Sequence, residues 1–160
     1  MKKKEFLVKI INEGKLKLVK PSNEVCKAYL IKSKNSLKAS KILLESKLYE
    51  NSVSDAYYSM YYSLLALLFK CGIKSENHMA SIFLLNDLFK KPELYNVISE
   101  TKEERIEKQY YVEFELTKDD SETLIKQAED FCIKIELFID KIKENDINKI
   151  RTDLKDTYKL

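Results

Sequence analysis

The sequence predicts an all-α fold, an up-and-down bundle of four or five helices, and three observations carry that prediction. Only two Gly and two Pro occur in 160 residues, too few for a chain that turns often. The segment from Leu124 to Ile142 places Leu124, Ala128, Phe131, Ile135, Phe138 and Ile142 at alternating steps of four and three, the period of one buried helix face. No alternation of the kind that marks a strand runs longer than LKLVK, residues 16–20.

Composition sets the class. Apolar residues make up 44% and charged residues 34% of the chain, a balance that buries a core rather than leaving a disordered polymer. The length suits one domain over residues 1–160, with a short basic helix in residues 1–20 and a charged extension over 144–160. No window is long and apolar enough to cross a bilayer, and the start MKKKEFLVKI lacks a signal-peptide core. The expectation is a cytoplasmic protein with no membrane partner. Net charge is +3, and all but Arg105 and Arg151 of the 29 basic residues are lysines. Lysine lacks the planar fork that grips phosphate, so this surface reads first as solvated. Cys26, Cys71 and Cys132 have no metal spacing, and with a single histidine no zinc set can be built. Neither a metal nor a cofactor is expected.

Taken in order, Phe6, Leu7, Ile10 and Ile11 mark a short amphipathic helix that ends near Gly14. Ser22, after Pro21, offers an N-cap for a helix to about Lys47. There Leu30, Leu37 and Leu44 recur every seven residues, with the small Ser33 and Ser40 between them, a seam that lets a neighbour approach closely. Ser52 and Asp55 form a capping-box signature for a second helix over about Val53 to Cys71. That helix is apolar on most sides, so it is central or faces a second subunit. Gly72 stops it. Ser75 is the expected cap of a third helix, HMASIFLLNDLF, with His78 in its first turn; Pro92 opens a fourth, ELYNVISETKEERIEKQYYVEF. Thr117 and Asp120 box the start of the last long helix. Beyond Glu144, Ile147, Ile150, Leu154 and Tyr158 keep helical spacing, as a continuation of that helix or as an arm for a partner.

Three groups of residues have chemistry to offer. His78 follows a glycine turn at the start of a helix, where unpaired N–H groups favour an anion and a neutral imidazole that accepts a proton. Lys74 adds positive charge nearby. Arg105 and Gln109 share a helix face, and Tyr110 or Tyr111 can stack on a base. The third group is Tyr57, Tyr58, Tyr61 and Tyr62, with Asp55 one turn from Tyr58 and two from Tyr62. Each group has an ordinary structural alternative: a structural histidine, an ion-paired arginine, and core or interface tyrosines.

The segment LYENSVSDAYYSMYYSLLALLFKCGIKSENHMASIFLL, then RIEKQYYVEF, then KDDSETLIKQAEDFCIKIELFIDKI together resemble the small prokaryotic HEPN-domain proteins (higher eukaryotes and prokaryotes nucleotide-binding). The likeness spans about residues 5 to 142. It implies a bundle that is commonly dimeric, encoded beside a minimal nucleotidyltransferase as a toxin–antitoxin-like pair. Active members of the family are metal-independent endoribonucleases in which an Arg precedes a His by four to six intervening residues. The His assists attack by the ribose 2′-hydroxyl and the Arg stabilises the developing charge. In this sequence His78 matches the histidine, but the three positions that would hold the arginine are Cys71, Gly72 and Ile73. Arg105 is then the arginine expected to complete a catalytic pair with His78. Lys74, Asp55, Tyr58, Tyr62, Gln109, Tyr110 and Tyr111 are the expected nucleotide- or RNA-binding residues. The alternatives are a non-catalytic module that binds nucleotide, RNA or the partner enzyme through the same cleft, and a purely structural dimer.

Overall fold

The computed structural model of the chain describes residues 2–106, 110–111 and 115–159, with the side chains of residues 104 and 105 outside that description. Its described elements run α1 (Lys3–Asn12), β1 (Leu16–Leu18), α2 (Asn23–Glu45), α3 (Tyr49–Lys70), β2 (Ile73–Ser75), α4 (His78–Asp87), α5 (Pro92–Thr101), a π-helical turn (Lys102–Ile106), α6 (Lys118–Lys141) and α7 (Glu144–Tyr158). The fold is all-α, and among the described residues it carries one minimal antiparallel ladder, in which Leu16 pairs with Ser75, Lys17 with Lys74 and Leu18 with Ile73.

Helix α3 is the axis of the bundle. It packs most extensively on α2 and next on α6, and it buries Val53, Ala56, Tyr57, Met60, Leu64, Leu67 and Leu68. Its seam with α2 works through small side chains, as the spacing of Ser33 and Ser40 implies. Ser33 Oγ donates to the Ser59 carbonyl at 2.7 Å, and Ser52 Oγ donates to the Ser40 carbonyl at 2.7 Å. Each bond satisfies a buried hydroxyl without leaving the helix–helix contact. Helix α6 lays Leu124, Ala128, Phe131, Ile135 and Ile139 against the same core.

Ser22 caps α2 by accepting from the Val25 N–H, Gly72 turns the chain at φ +68° after α3, and Thr117 and Asp120 form the box that starts α6. Three boundaries differ from expectation. Helix α3 begins at Tyr49, not Val53: Lys47 takes a left-handed φ of +61° and the chain re-enters helix within three residues. Ser52 therefore lies inside the helix, fully buried, where its hydroxyl serves the α2 contact instead of a cap. Asn77, not Ser75, caps α4, its side-chain oxygen accepting from the Ala80 N–H at 2.9 Å. Ser75 belongs to β2, and its hydroxyl donates to the Asn77 carbonyl. Helix α5 ends at Thr101, short of the expected boundary; a π-helical turn over Lys102–Ile106 follows, and Tyr110 and Tyr111 stand 88% and 70% exposed, neither of them in an α-helix. Gln109 lies outside the described residues.

The charged extension is a helix in its own right and folds back onto its own chain. Leu154 and Tyr158 of α7 are buried. Arg151 Nη1 donates to the carbonyls of Val19 at 2.8 Å, Cys71 at 3.1 Å and Gly72 at 2.7 Å. One guanidinium nitrogen thus ties α7 to the turn between α3 and β2. A Cβ on Gly72 would collide with that nitrogen and stand 2.5 Å from Val19 O and 2.8 Å from Pro21 Cδ.

Candidate functional site

The turn that Arg151 closes delivers His78 to the side of α3. Because Gly72 reverses the chain and β2 is only three residues long, the first residue of α4 lands beside the middle of α3. There the tyrosines of α3 receive it. Tyr57 and Tyr61 are four apart and Tyr58 lies between them in sequence, so three rings from adjacent faces surround one imidazole. The Tyr57 hydroxyl lies 3.0 Å from His78 Nδ1. The Tyr61 ring stacks on the imidazole with centroids 3.8 Å apart and planes 17° apart. Tyr58 presents its ring edge-on at 6.2 Å and 88°.

This geometry fixes the imidazole in orientation and distinguishes its two nitrogens. Nδ1 is engaged by Tyr57, whereas Nε2 has no hydrogen-bond partner among the described residues. When Nδ1 carries the proton and donates to the tyrosine oxygen, the Nε2 lone pair is free to accept one. Half-burial pushes the imidazole pKa below 6.5, and the charge of Lys102 pushes it the same way. Both effects favour the neutral imidazole over the charged one.

Lys74, by contrast, points into an ion pair with Glu76 at 2.6 Å on the outer side of the ladder. The cation that His78 senses is Lys102, the first residue of the π-helical turn, 24 positions further along the chain. That residue went unnoticed in the sequence because no local motif contains it. Arg105 belongs to the same turn, and the turn packs on α3. A single-turn π segment is itself a local irregularity that recurs at functional sites.

Asp55 sits one turn before Tyr58 on α3, partly buried, and burial raises its carboxyl pKa. Tyr58 is 40% exposed and Tyr62 half-buried. Their rings lie 5.8 Å apart, and Tyr62 continues to Tyr29 at 6.1 Å. Tyr58 and Tyr62 therefore form an aromatic edge leading away from His78. Tyr110 and Tyr111 are exposed, with no ring contact to this cluster among the described residues.

The structure also accounts for the missing arginine. Cys71 and Ile73 are fully buried, and Gly72 has no space for any side chain. An arginine at any of the three would have to displace core or the Arg151 contact. The positive charge that His78 senses comes instead from another element, Lys102 of the turn after α5. No group of three or more His, Cys, Asp or Glu able to hold a metal occurs among the described residues.

Comparison with known proteins agrees with this architecture. The model of the HEPN domain matches residues 26–138. A Methanocaldococcus jannaschii protein named "Putative toxin MJ0605" is 30% identical over 127 residues, covering 79% of this chain and 92% of that protein. A second protein of the same organism, "Putative toxin MJ0142", is 30% identical over 113 residues, covering 68% of this chain and 77% of its own length. The matched region holds α3, the Gly72 turn and His78, and with the helical bundle already described it means that this chain belongs to the HEPN-domain family.

Proposed function

We propose that this chain acts on RNA as the toxin-like half of a toxin–antitoxin-like pair, cleaving it without a metal at the cleft around His78. The observation that carries the reading is the state of that histidine: neutral, oriented by Tyr57 and Tyr61, with Nε2 unengaged among the described residues. In the proposed step His78 Nε2 takes the proton of a ribose 2′-hydroxyl as the 2′-oxygen attacks the adjacent phosphorus. The bond from phosphorus to the 5′-oxygen breaks, that oxygen takes a proton from water, and His78 returns its proton to the resulting hydroxide, which restores the neutral imidazole. The products are a 2′,3′-cyclic phosphate and a 5′-hydroxyl. Lys102 and Arg105 offset the charge that grows on the phosphoryl oxygens. Tyr58 and Tyr62 hold a base by stacking.

Incubation of labelled single-stranded RNA with the purified protein in excess chelator tests this. Cleavage that leaves cyclic phosphate ends, and that falls at least about a hundredfold in His78→Ala, is the expected result. Equal cleavage by wild type and His78→Ala would assign the activity to a contaminant. The buried and blocked positions 71–73 favour a second reading, in which the same cleft binds RNA or nucleotide without cutting it. That reading predicts salt-sensitive binding with no cyclic phosphate product.

The partner we propose is a minimal nucleotidyltransferase, and the assembly a homodimer in the cytoplasm. Two relatives bearing toxin names support an antitoxin-like partner. Co-expression with the product of a neighbouring reading frame should yield a stable complex on size exclusion. Separate elution at micromolar concentration would remove the pairing from the proposal.

A further inference from the structure

A groove between the start of α5 and the outer face of α6 takes no part in the His78 cluster. Its volume is about 420 Å³, within the range of pockets that bury a ligand or the anchoring side chains of a peptide. The α6 wall is a single helical stripe, Lys134, Leu137, Phe138 and Lys141, at steps of three, one and three, which places all four on one face. Leu94 of α5 completes an apolar floor with Leu137 and Phe138. Leu137 is 50% exposed, and Ile133, one turn earlier on the same face, is 57% exposed. Adjacent branched aliphatic residues left this open mark an interaction surface more often than isolated ones do.

The rim is basic. Lys90, Lys91, Lys134 and Lys141 line the groove against one carboxylate, Glu93. Lys134 is paired with Asp130 at 2.9 Å, and Lys90 donates to the Asp87 carbonyl at 2.6 Å. Lys91 stands over the Phe138 ring at 4.6 Å, and neither it nor Lys141 has a carboxylate partner among the described residues. The first turn of α5, Pro92 to Leu94, borders the groove, and its N-cap residue Lys91 makes no side-chain capping bond. Uncapped N–H groups add to the preference for negative charge.

We propose that this groove docks an acidic amphipathic segment of a protein partner. Its apolar side chain lies over Leu94, Leu137 and Phe138, and its carboxylates lie on Lys91 and Lys141. Charge complementarity selects that occupant. A two-fold copy of the same face would set lysines against lysines. A nucleic acid would find an aliphatic floor, no arginine fork, and one aromatic ring already covered by Lys91. The inference does not depend on any activity at His78.

The test is selection of a phage-displayed random dodecapeptide library on the full chain, followed by fluorescence anisotropy of the leading synthetic peptide. Enriched sequences are expected to carry several Asp or Glu flanking Leu, Ile or Phe. Affinity should weaken roughly tenfold or more in Leu137→Asp and in the double variant Lys91→Glu/Lys141→Glu, and should fall with added salt. Both substitutions fall on side chains at the groove surface, and unchanged circular dichroism melts verify folding. Failure to enrich any peptide, enriched sequences without acids, or binding indifferent to both variants would overturn the proposal. So would a single-stranded RNA probe, or self-association of the protein, lost in these same variants.

Discussion

At the scale of single residues, His78 owes its character to neighbours contributed by other elements. Burial and then Lys102 lower its pKa from 6.5, so an NMR titration of its ring protons should give a midpoint below 6.5. Lys102→Gln should move that midpoint upward while leaving it below the free value, because burial is the larger cause. The sign for stability follows. The unfolded chain binds a proton that the folded chain resists, so the contribution of a neutral His78 is complete above pH 6.5. It is lost as pH falls through the lowered midpoint. Tyr57→Phe removes the hydroxyl that holds Nδ1 and, under the cleavage proposed above, should lower turnover on RNA more than binding, since the stacked Tyr61 ring remains. Binding and cleavage assays on the same variant read that split.

At the scale of elements, the α2–α3 seam and the Gly72 turn carry the sharpest predictions. Ser52 Oγ reaches the Ser40 carbonyl at a buried crossing. Ser52→Ala should cost about 1 kcal/mol, and Ser52→Leu about 1–3 kcal/mol by overpacking, measured by urea unfolding. Gly72 and Gly14 both have positive φ, at +68° and +72°, but only Gly72 is enclosed. Gly14→Ala should cost about 1–2 kcal/mol from backbone strain alone. Gly72→Ala adds displacement of Arg151 and should exceed that clearly. Arg151→Ala should cost about 1.5–3 kcal/mol, as expected for bonds to a charged group. The difference between Gly72→Ala and Gly14→Ala should shrink in the Arg151→Ala background, because the two sites share one contact.

Much of this was legible in the sequence, for identifiable reasons. Helical period, glycine stops and the Ser22 and Thr117 caps are local signals, and the chain obeys them. The Ser52–Asp55 box was overridden because a tight turn at Lys47 lets helix resume early, and the small side chain was needed at a crossing instead. Ser75 and Asn77 are both competent caps two residues apart; pairing of β1 with β2 claimed the serine. Lys102 was invisible because its relation to His78 exists only after α4 and α5 fold back along α3. Lys74, close in sequence, lies on the outward side of a strand whose neighbours face inward.

Across the whole molecule, the three thiols report on global opening. Cys26 and Cys71 are buried, and burial pushes the Cys71 pKa up to about 12. Burial likewise raises Cys132, beside Ser33 at the α2–α6 contact. At pH 8 a thiol reagent should modify the native protein slowly at all three positions and fast once urea crosses the unfolding midpoint. Rapid native labelling at Cys71 would mean that the Gly72 turn opens on its own.

That turn also bears on the order in which the molecule becomes competent. The ribosome delivers the chain from its N-terminus, and Arg151 is separated from Gly72 by 79 positions. When α3, the turn and His78 have already emerged, the guanidinium that fastens their carbonyls has not been made. The loop presenting the histidine therefore spends part of synthesis without its final tether. Under the proposed RNA cleavage, such a delay would keep the cleft unfinished while the message being read is still alongside it.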